Sequence, residues 1–435
     1  MTASLTAPAT GLSGWTHDWL ATLPAPSGDL APVQQRGRQA LAELPVPGSR
    51  QEDWRFTDLS LLAQLPLAQL AAGAQAGAGG AAGPVSAAAG SAVPARQLPS
   101  PEPGVLRLTL DGSSDPLAGV TLPEGLQALT PGEIAQGLGH TLAATDCERH
   151  WPVELNHAAA SRVLALRVAS RSHVKLELVS AAGAGLLPLR LLLVLEEKAE
   201  LDLSQLLQAG AAGLTSLVLE AHLARSARLS HGLVALGCPE AALLGHLAIE
   251  QEPESCLSFT AVTHGWGLAR LEPRVQQVDG QASTTLRGLQ QVDGRQIADT
   301  HSFVRFNGPE GQLDQLHKAV AAGQGRSMFN GAVRVPRAAQ RTNAAQLSRS
   351  LLLSDRARID TKPELEIVAD DVKCAHGATV SSLQTDELFY LQSRGIGSDQ
   401  AAGLLKRAFC EEVLRELPAA ARRWCPLEAL QLEAA

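Results

Sequence analysis

From Ser161 onward the chain reads as one short alternating run after another: VLALRV, VKLELV, LRLLLVL, AELDL, TSLVLEAHL, ARLSHGLVAL and LGHLAIE. Alternation with period two puts successive side chains on opposite faces, which predicts strands. Charged or small turns such as EEK, ARSA and EPES separate the runs, and no helical spacing intervenes. The first apolar residues after successive charged turns are Leu201, Leu229 and Leu257, 28 apart each time, and Thr285 continues the series. A half-step is also present, because QQVDG at Gln276–Gly280 recurs 14 residues later at Gln290–Gly294. Later turns, near Gly325, Ala339, Asp355 and Asp371, fall 14 to 16 residues apart. One coil therefore contains at least two strands joined by short turns. A coil of that size cannot bury its own apolar face, so it must stack on its neighbours. The pattern predicts a mainly β chain built as a β-helix.

The flanks have a different texture. Trp15–Leu44 carries apolar residues at helical spacing, and Pro24 ends the first of its two segments. Leu70–Pro101 is rich in Ala, Gly, Ser and Pro, a composition that buries little and fits a linker. Gly104–Ala118 restarts with the strand-like VLRLTL, and Thr130–His157 reads as mostly helical. After the strands, Asp386–Arg394 predicts a short helix stopped by Gly395. A longer helix follows over Asp399–Leu417, with Ala402, Leu405, Phe409 and Val413 on one face and Pro418 at its end. Three regions result: a mostly helical 1–160 with its linker at about 70–101, a β-helix core over 161–383, and a helical 384–435. Helices at the end of a solenoid cap its open edge and offer a docking surface.

Composition narrows the function. A net charge of −8 with 3% aromatic residues argues against a nucleic-acid surface. The first residues lack a basic start and an apolar run of the signal-peptide kind, and Leu186–Leu195 is too short to span a membrane. The six cysteines (Cys147, Cys238, Cys256, Cys374, Cys410 and Cys425) form no C-x-x-C pair. They predict reduced thiols in a cytoplasmic protein, and no local four-cysteine cluster site.

The densest chemistry lies in Ile359–Ile396, around Lys373-Cys374-Ala375-His376-Gly377. In a strand, Cys374 and His376 share a face, and a thiolate beside an imidazole makes a two-point grip on iron, zinc or copper. The plainer alternative is a small buried thiol beside a hydrogen-bonded imidazole. Cys147, His150 and His157 also lie close in sequence, at a spacing that fits no standard metal-ligand set.

TKPELEIVADDVKCAHGATV, followed by DE, LFYLQSRGI and a helix, resembles the carboxy-terminal signature of the SufB/SufD family of iron–sulfur cluster assembly proteins, and is closer to the SufD branch. EDWRFT at Glu52–Thr57 resembles the family's EDWRYT segment, an aromatic anchor between a helical arm and the core. QLHK at Gln315–Lys318, then Gly325-Arg326 and FNG at Phe329–Gly331, resemble another family run, with FNG read as a turn. The resemblance implies a right-handed parallel β-helix with helical ends. It implies a non-catalytic scaffold that pairs with SufB through the β-helix and docks the SufC ATPase on its carboxy-terminal helices. It maps the family's interface histidine onto His376, with Cys374 a weaker second ligand. A transient iron–sulfur cluster or iron would be held at the SufB interface, none of it bound stably by this chain alone.

Two other classes fit the sequence less well. Many β-helices act on polysaccharides, but that chemistry needs paired carboxylates and aromatic platforms. Aromatics are scarce here, and the adjacent Asp370 and Asp371 would point to opposite faces of a strand. A free-standing metalloenzyme would need spacing such as His-Glu-x-x-His, which the chain lacks. No phosphate-cradling glycine loop is present, so nucleotide hydrolysis would belong to a partner.

Overall fold

A computed structural model describes residues 12–65, 98–424 and 429–430. Most of the expected linker, and Cys425, lie outside the described residues. Strands alternate between two nine-stranded sheets, so each coil contributes one strand to each sheet. All pairings are parallel except the antiparallel one between Leu126–Ala128 and Leu164–Val168. This is the stacked β-coil architecture that the period predicts.

The register shows how far that period holds. Leu201 pairs with Leu229 and Leu229 with Leu257, as the 28-residue spacing requires. The next rung is Thr284, not Thr285, because that coil is one residue shorter. Later coils lengthen, so that Thr284 pairs with Leu313, Leu313 with Ala344 and Ala344 with Cys374. QQVDG lies at the end of one strand in each sheet, which explains its half-coil spacing.

One corner repeats in every coil. Arg171, Lys198, Ser226, Glu254, Gln281, Glu310 and Arg341 all have positive φ there. That left-handed geometry is costly for a side chain, and stacking offsets the cost. The amides of Arg171, Lys198, Ser226, Gln281, Glu310 and Arg341 each donate to a carbonyl one coil further on. The last acceptor is the carbonyl of Asp371, at 2.6 Å, so the acidic pair Asp370–Asp371 ahead of Cys374 forms a corner.

Three apolar layers hold the molecule. The first fills the solenoid, with Leu176, Leu203, Leu229, Leu257, Leu271 and Val304 among its members. The second lies outside one sheet, where Trp15, Trp19, Trp54 and Trp151 cover Leu186, Leu214, Leu244 and Leu268. The third lies outside the other sheet, where Cys410, Val413, Leu414 and Trp424 cover Leu206, Val234, Val262 and Leu289. Central strands are therefore buried on both faces, which is why runs such as LRLLLVL blur their alternation.

The flanks also contribute to the sheets. Val105–Thr109 pairs with His173–Ala182 and opens one sheet. The carboxy-terminal helix runs Ser398–Leu414 and buries Ala401, Cys410, Val413 and Leu414, so only Val413 of the expected stripe is fully covered. Among the described residues, no helix is long and apolar enough to cross a membrane.

Candidate functional site at the open end of the solenoid

The last coil ends both sheets. Lys373–Ser382 is the terminal strand of one sheet and, among the described residues, pairs only with Asn343–Leu352. Arg358–Ile367 is the terminal strand of the other and, among the described residues, pairs only with Arg326–Val335. A free strand edge presents unpaired amides and carbonyls, and is a template for another chain.

Alternation fixes what the terminal strand shows. Cys374 stands opposite Ala344 and His376 opposite Gln346, both partners being buried. Cys374 and His376 thus share the inward-facing column, as the Cys-x-His spacing predicts. Cys374 packs against the solenoid core and is half-buried. Burial pushes its thiol pKa up, so it is protonated unless an electrophilic ion draws the proton off. His376 is exposed and has no hydrogen-bond or ion-pair partner among the described residues.

The column beneath His376 is polar. In register it runs Leu286, Gln315, Gln346, His376. Gln346 donates to the Gln315 carbonyl oxygen at 2.9 Å, and Gln315 donates to the Ser302 hydroxyl at 2.7 Å. The carbonyl oxygen of Gln346 is buried without a partner. The imidazole therefore caps a hydrogen-bonded stack at the mouth of the solenoid.

Apolar exposure concentrates around the same end. Ile367, Val368 and Val380 are 40%, 48% and 45% exposed, and Phe389 and Tyr390 in the following helix are 70% and 59% exposed. That helix, Thr385–Ser393, buries none of its residues. Exposed large apolar side chains gathered in one region mark an interaction surface.

The other motifs are structural. His317 is buried and stacks on Phe329 with ring centroids 4.3 Å apart. Lys318 reaches outward and holds the carboxy-terminal helix through the Phe409 carbonyl and Glu412. FNG is not a turn: Phe329, Asn330 and Gly331 lie inside the strand Arg326–Val335. The aromatic anchor is confirmed, with the Arg270 guanidinium 3.8 Å from the Trp54 ring centroid and donating to the Asp53 carbonyl at 2.8 Å. Cys147, His150 and His157 do not converge. Cys147 contacts the Thr145 hydroxyl, His157 faces Glu154 and Arg36, and His150 faces His246 and Glu272.

The fold and site together define a parallel β-solenoid whose final coil offers a free edge and an uncovered imidazole. Residues 178–409 match the family described as SUF system FeS cluster assembly, SufBD core domain. The chain is 31% identical over 421 residues to the iron-sulfur cluster assembly SufBD family protein slr0076 of Synechocystis, covering 89% of this chain and 87% of that protein. It is 40% identical over 205 residues to the chloroplastic protein ABCI7 of Arabidopsis thaliana, covering 47% and 43% of the two chains. It is 37% identical over 142 residues to the iron-sulfur cluster assembly protein SufD of Escherichia coli, covering 32% and 34%. The chain belongs to the SufB/SufD family of iron–sulfur cluster assembly proteins. That assignment displaces the polysaccharide-enzyme alternative.

Proposed function

We propose that this chain is the SufD-type, non-catalytic subunit of a cytoplasmic SUF assembly complex. It pairs with a SufB-type solenoid at the open end and carries a SufC-type ATPase on its carboxy-terminal helices. His376 supplies an imidazole nitrogen to iron of the nascent cluster, and Cys374 is a second, weaker ligand. The remaining ligands come from the partner, so the cluster is held transiently and can be handed on.

One observation carries this reading: the inward column ends in an imidazole that no coil among the described residues covers. A neutral imidazole is a good iron ligand, and a single exposed one holds a cluster weakly. The burial that keeps Cys374 protonated accounts for its lesser part.

The test is reconstitution with SufB and SufC. His376→Ala should leave folding and ATPase docking intact and abolish cluster build-up, followed by its visible absorption and by iron and sulfide content. Cys374→Ser should lower the yield less. A wild-type cluster yield from His376→Ala rejects the site. Failure of the chain to co-purify with a homologous solenoid and an ATP-binding-cassette ATPase rejects the scaffold role.

A further inference from the structure

A second donor cluster lies on the outer face of the other sheet, where Glu272 is three strands in from the terminal strand Arg358–Ile367. His246 in the strand Ala241–Gln251 stands directly opposite Glu272 in the neighbouring strand Leu268–Gln277. His150, immediately before the helix Trp151–Ala159, closes over the pair. Three atoms converge. Glu272 Oε2 is 3.1 Å from His246 Nε2 and 3.4 Å from His150 Nδ1, and the two ring nitrogens are 3.4 Å apart.

That triangle has the dimensions of a metal site. A tetrahedral ion bound at about 2.0–2.1 Å places neighbouring donor atoms about 3.3–3.4 Å from one another. The donors are two imidazoles and one carboxylate, a set that suits a borderline divalent ion. The second carboxylate oxygen is already occupied, because Arg270 Nε donates to Glu272 Oε1 at 2.7 Å. Glu272 is thereby oriented with Oε2 toward the rings, the supporting contact that ligating carboxylates usually have. His246 and Glu272 are almost wholly buried, so their positions are fixed by packing.

The fourth position has room. His150 and Glu272 both line a cavity of ≈ 480 Å³, shared with Arg149, Arg270, Arg274 and Phe303. Its guanidinium groups favour water or a small anion as the fourth ligand.

We propose that His150, His246 and Glu272 bind one divalent transition-metal ion of the zinc class, with its fourth position open to this cavity. The ion ties the start of the helix Trp151–Ala159 to two adjacent strands of the solenoid. It is independent of His376 and of the cluster that His376 would receive.

The test uses the whole 435-residue chain, stripped with a chelator and titrated with Co²⁺ and then Zn²⁺. One equivalent of Co²⁺ should give the intense visible bands of tetrahedral coordination, and Zn²⁺ should displace it and raise Tm. His150→Ala, at a half-exposed position, should keep the far-ultraviolet circular dichroism of the wild type. It should weaken binding at least about 10-fold and abolish the Tm shift. His150→Gln repeats the comparison should the alanine variant misfold. His376→Ala should bind as the wild type does. Absence of saturable binding, binding unchanged in both His150 variants, or loss of the equivalent in His376→Ala overturns the proposal.

Discussion

The ammonium of Lys318 lies 4.3 Å from the ring of Phe409 and donates a 2.7 Å hydrogen bond to that residue's carbonyl. Glu412 completes the grip. Lys318 is 3% exposed, so this is a buried cation whose partners all sit on the carboxy-terminal helix. Lys318→Ala removes the tether and leaves a hole between helix and sheet. The expected loss is about 2–4 kcal/mol, in the range for breaking a buried charged contact. Hydrogen exchange should localise it, with faster exchange in Ser398–Leu414 and unchanged protection in central strands. Equal loss of protection throughout would show that the helix is no separate unit.

The helix Thr385–Ser393 sits just before that tethered helix and buries nothing of its own. A helix with no fully buried residue and with Phe389 and Tyr390 outward suits a partner surface better than a cap. The double substitution Phe389→Ser and Tyr390→Ser should change stability by less than about 0.5 kcal/mol, as at other exposed sites. It should abolish co-purification of the proposed SufC-type ATPase while leaving the proposed pairing with a SufB-type solenoid intact. Retention of the ATPase by the double variant would place its docking site elsewhere.

The fold was legible where chemistry recurs at fixed spacing. The charged corners announce themselves because each coil needs one at the same place, and Leu201, Leu229 and Leu257 follow from them. The slip at Thr284 was hidden because a corner can lose a residue without disturbing the alternation on either side. Cys374 and His376 were legible because two residues in one strand settle their common face. His246 and Glu272 were not. They lie 26 positions apart, on strands whose coil departs from the 28-residue period, and His150 joins them from a helix start. Their convergence depends on register, which composition does not encode. Gly331 was misread as a turn because Asn-Gly favours turns locally, whereas here it answers a contact from across the solenoid.

Two imidazoles inside the solenoid make its stability depend on pH. His231 and His317 are fully enclosed, and burial drives each pKa from the ordinary 6.5 down to about 3. Asp299 pulls His317 slightly the other way. Between these values the unfolded chain binds protons that the folded chain refuses, so stability falls as pH drops below 6.5. At pH 5 each imidazole should cost the fold roughly 2 kcal/mol relative to pH 7.5. Urea denaturation of the wild type, His231→Leu and His317→Leu at both pH values checks this. Each substitution should shrink the pH 7.5 to pH 5 difference by roughly 2 kcal/mol, whatever it does to absolute stability. An unchanged difference would mean that the buried rings do not control the acid response.

Gly331 connects the FNG motif to the open-end site. A Cβ at this position would lie 2.0 Å from Gln346 Nε2 and 2.8 Å from the Phe329 ring. Gln346 is buried, and its amide is committed to Gln315 one rung inward while His376 stands one rung outward. The amide cannot swing away without breaking its bond to Gln315. Gly331→Ala should therefore destabilise the chain by about 1–3 kcal/mol, the usual cost of an extra methyl in a packed interior. Gln346→Ala should relieve that clash, so the double variant should be more stable than the sum of the two single losses predicts. Denaturant midpoints for the two single variants and the double give the coupling directly. Strict additivity would show that Gly331 and Gln346 do not meet across the solenoid, and would remove the physical link between FNG and the rung beneath His376.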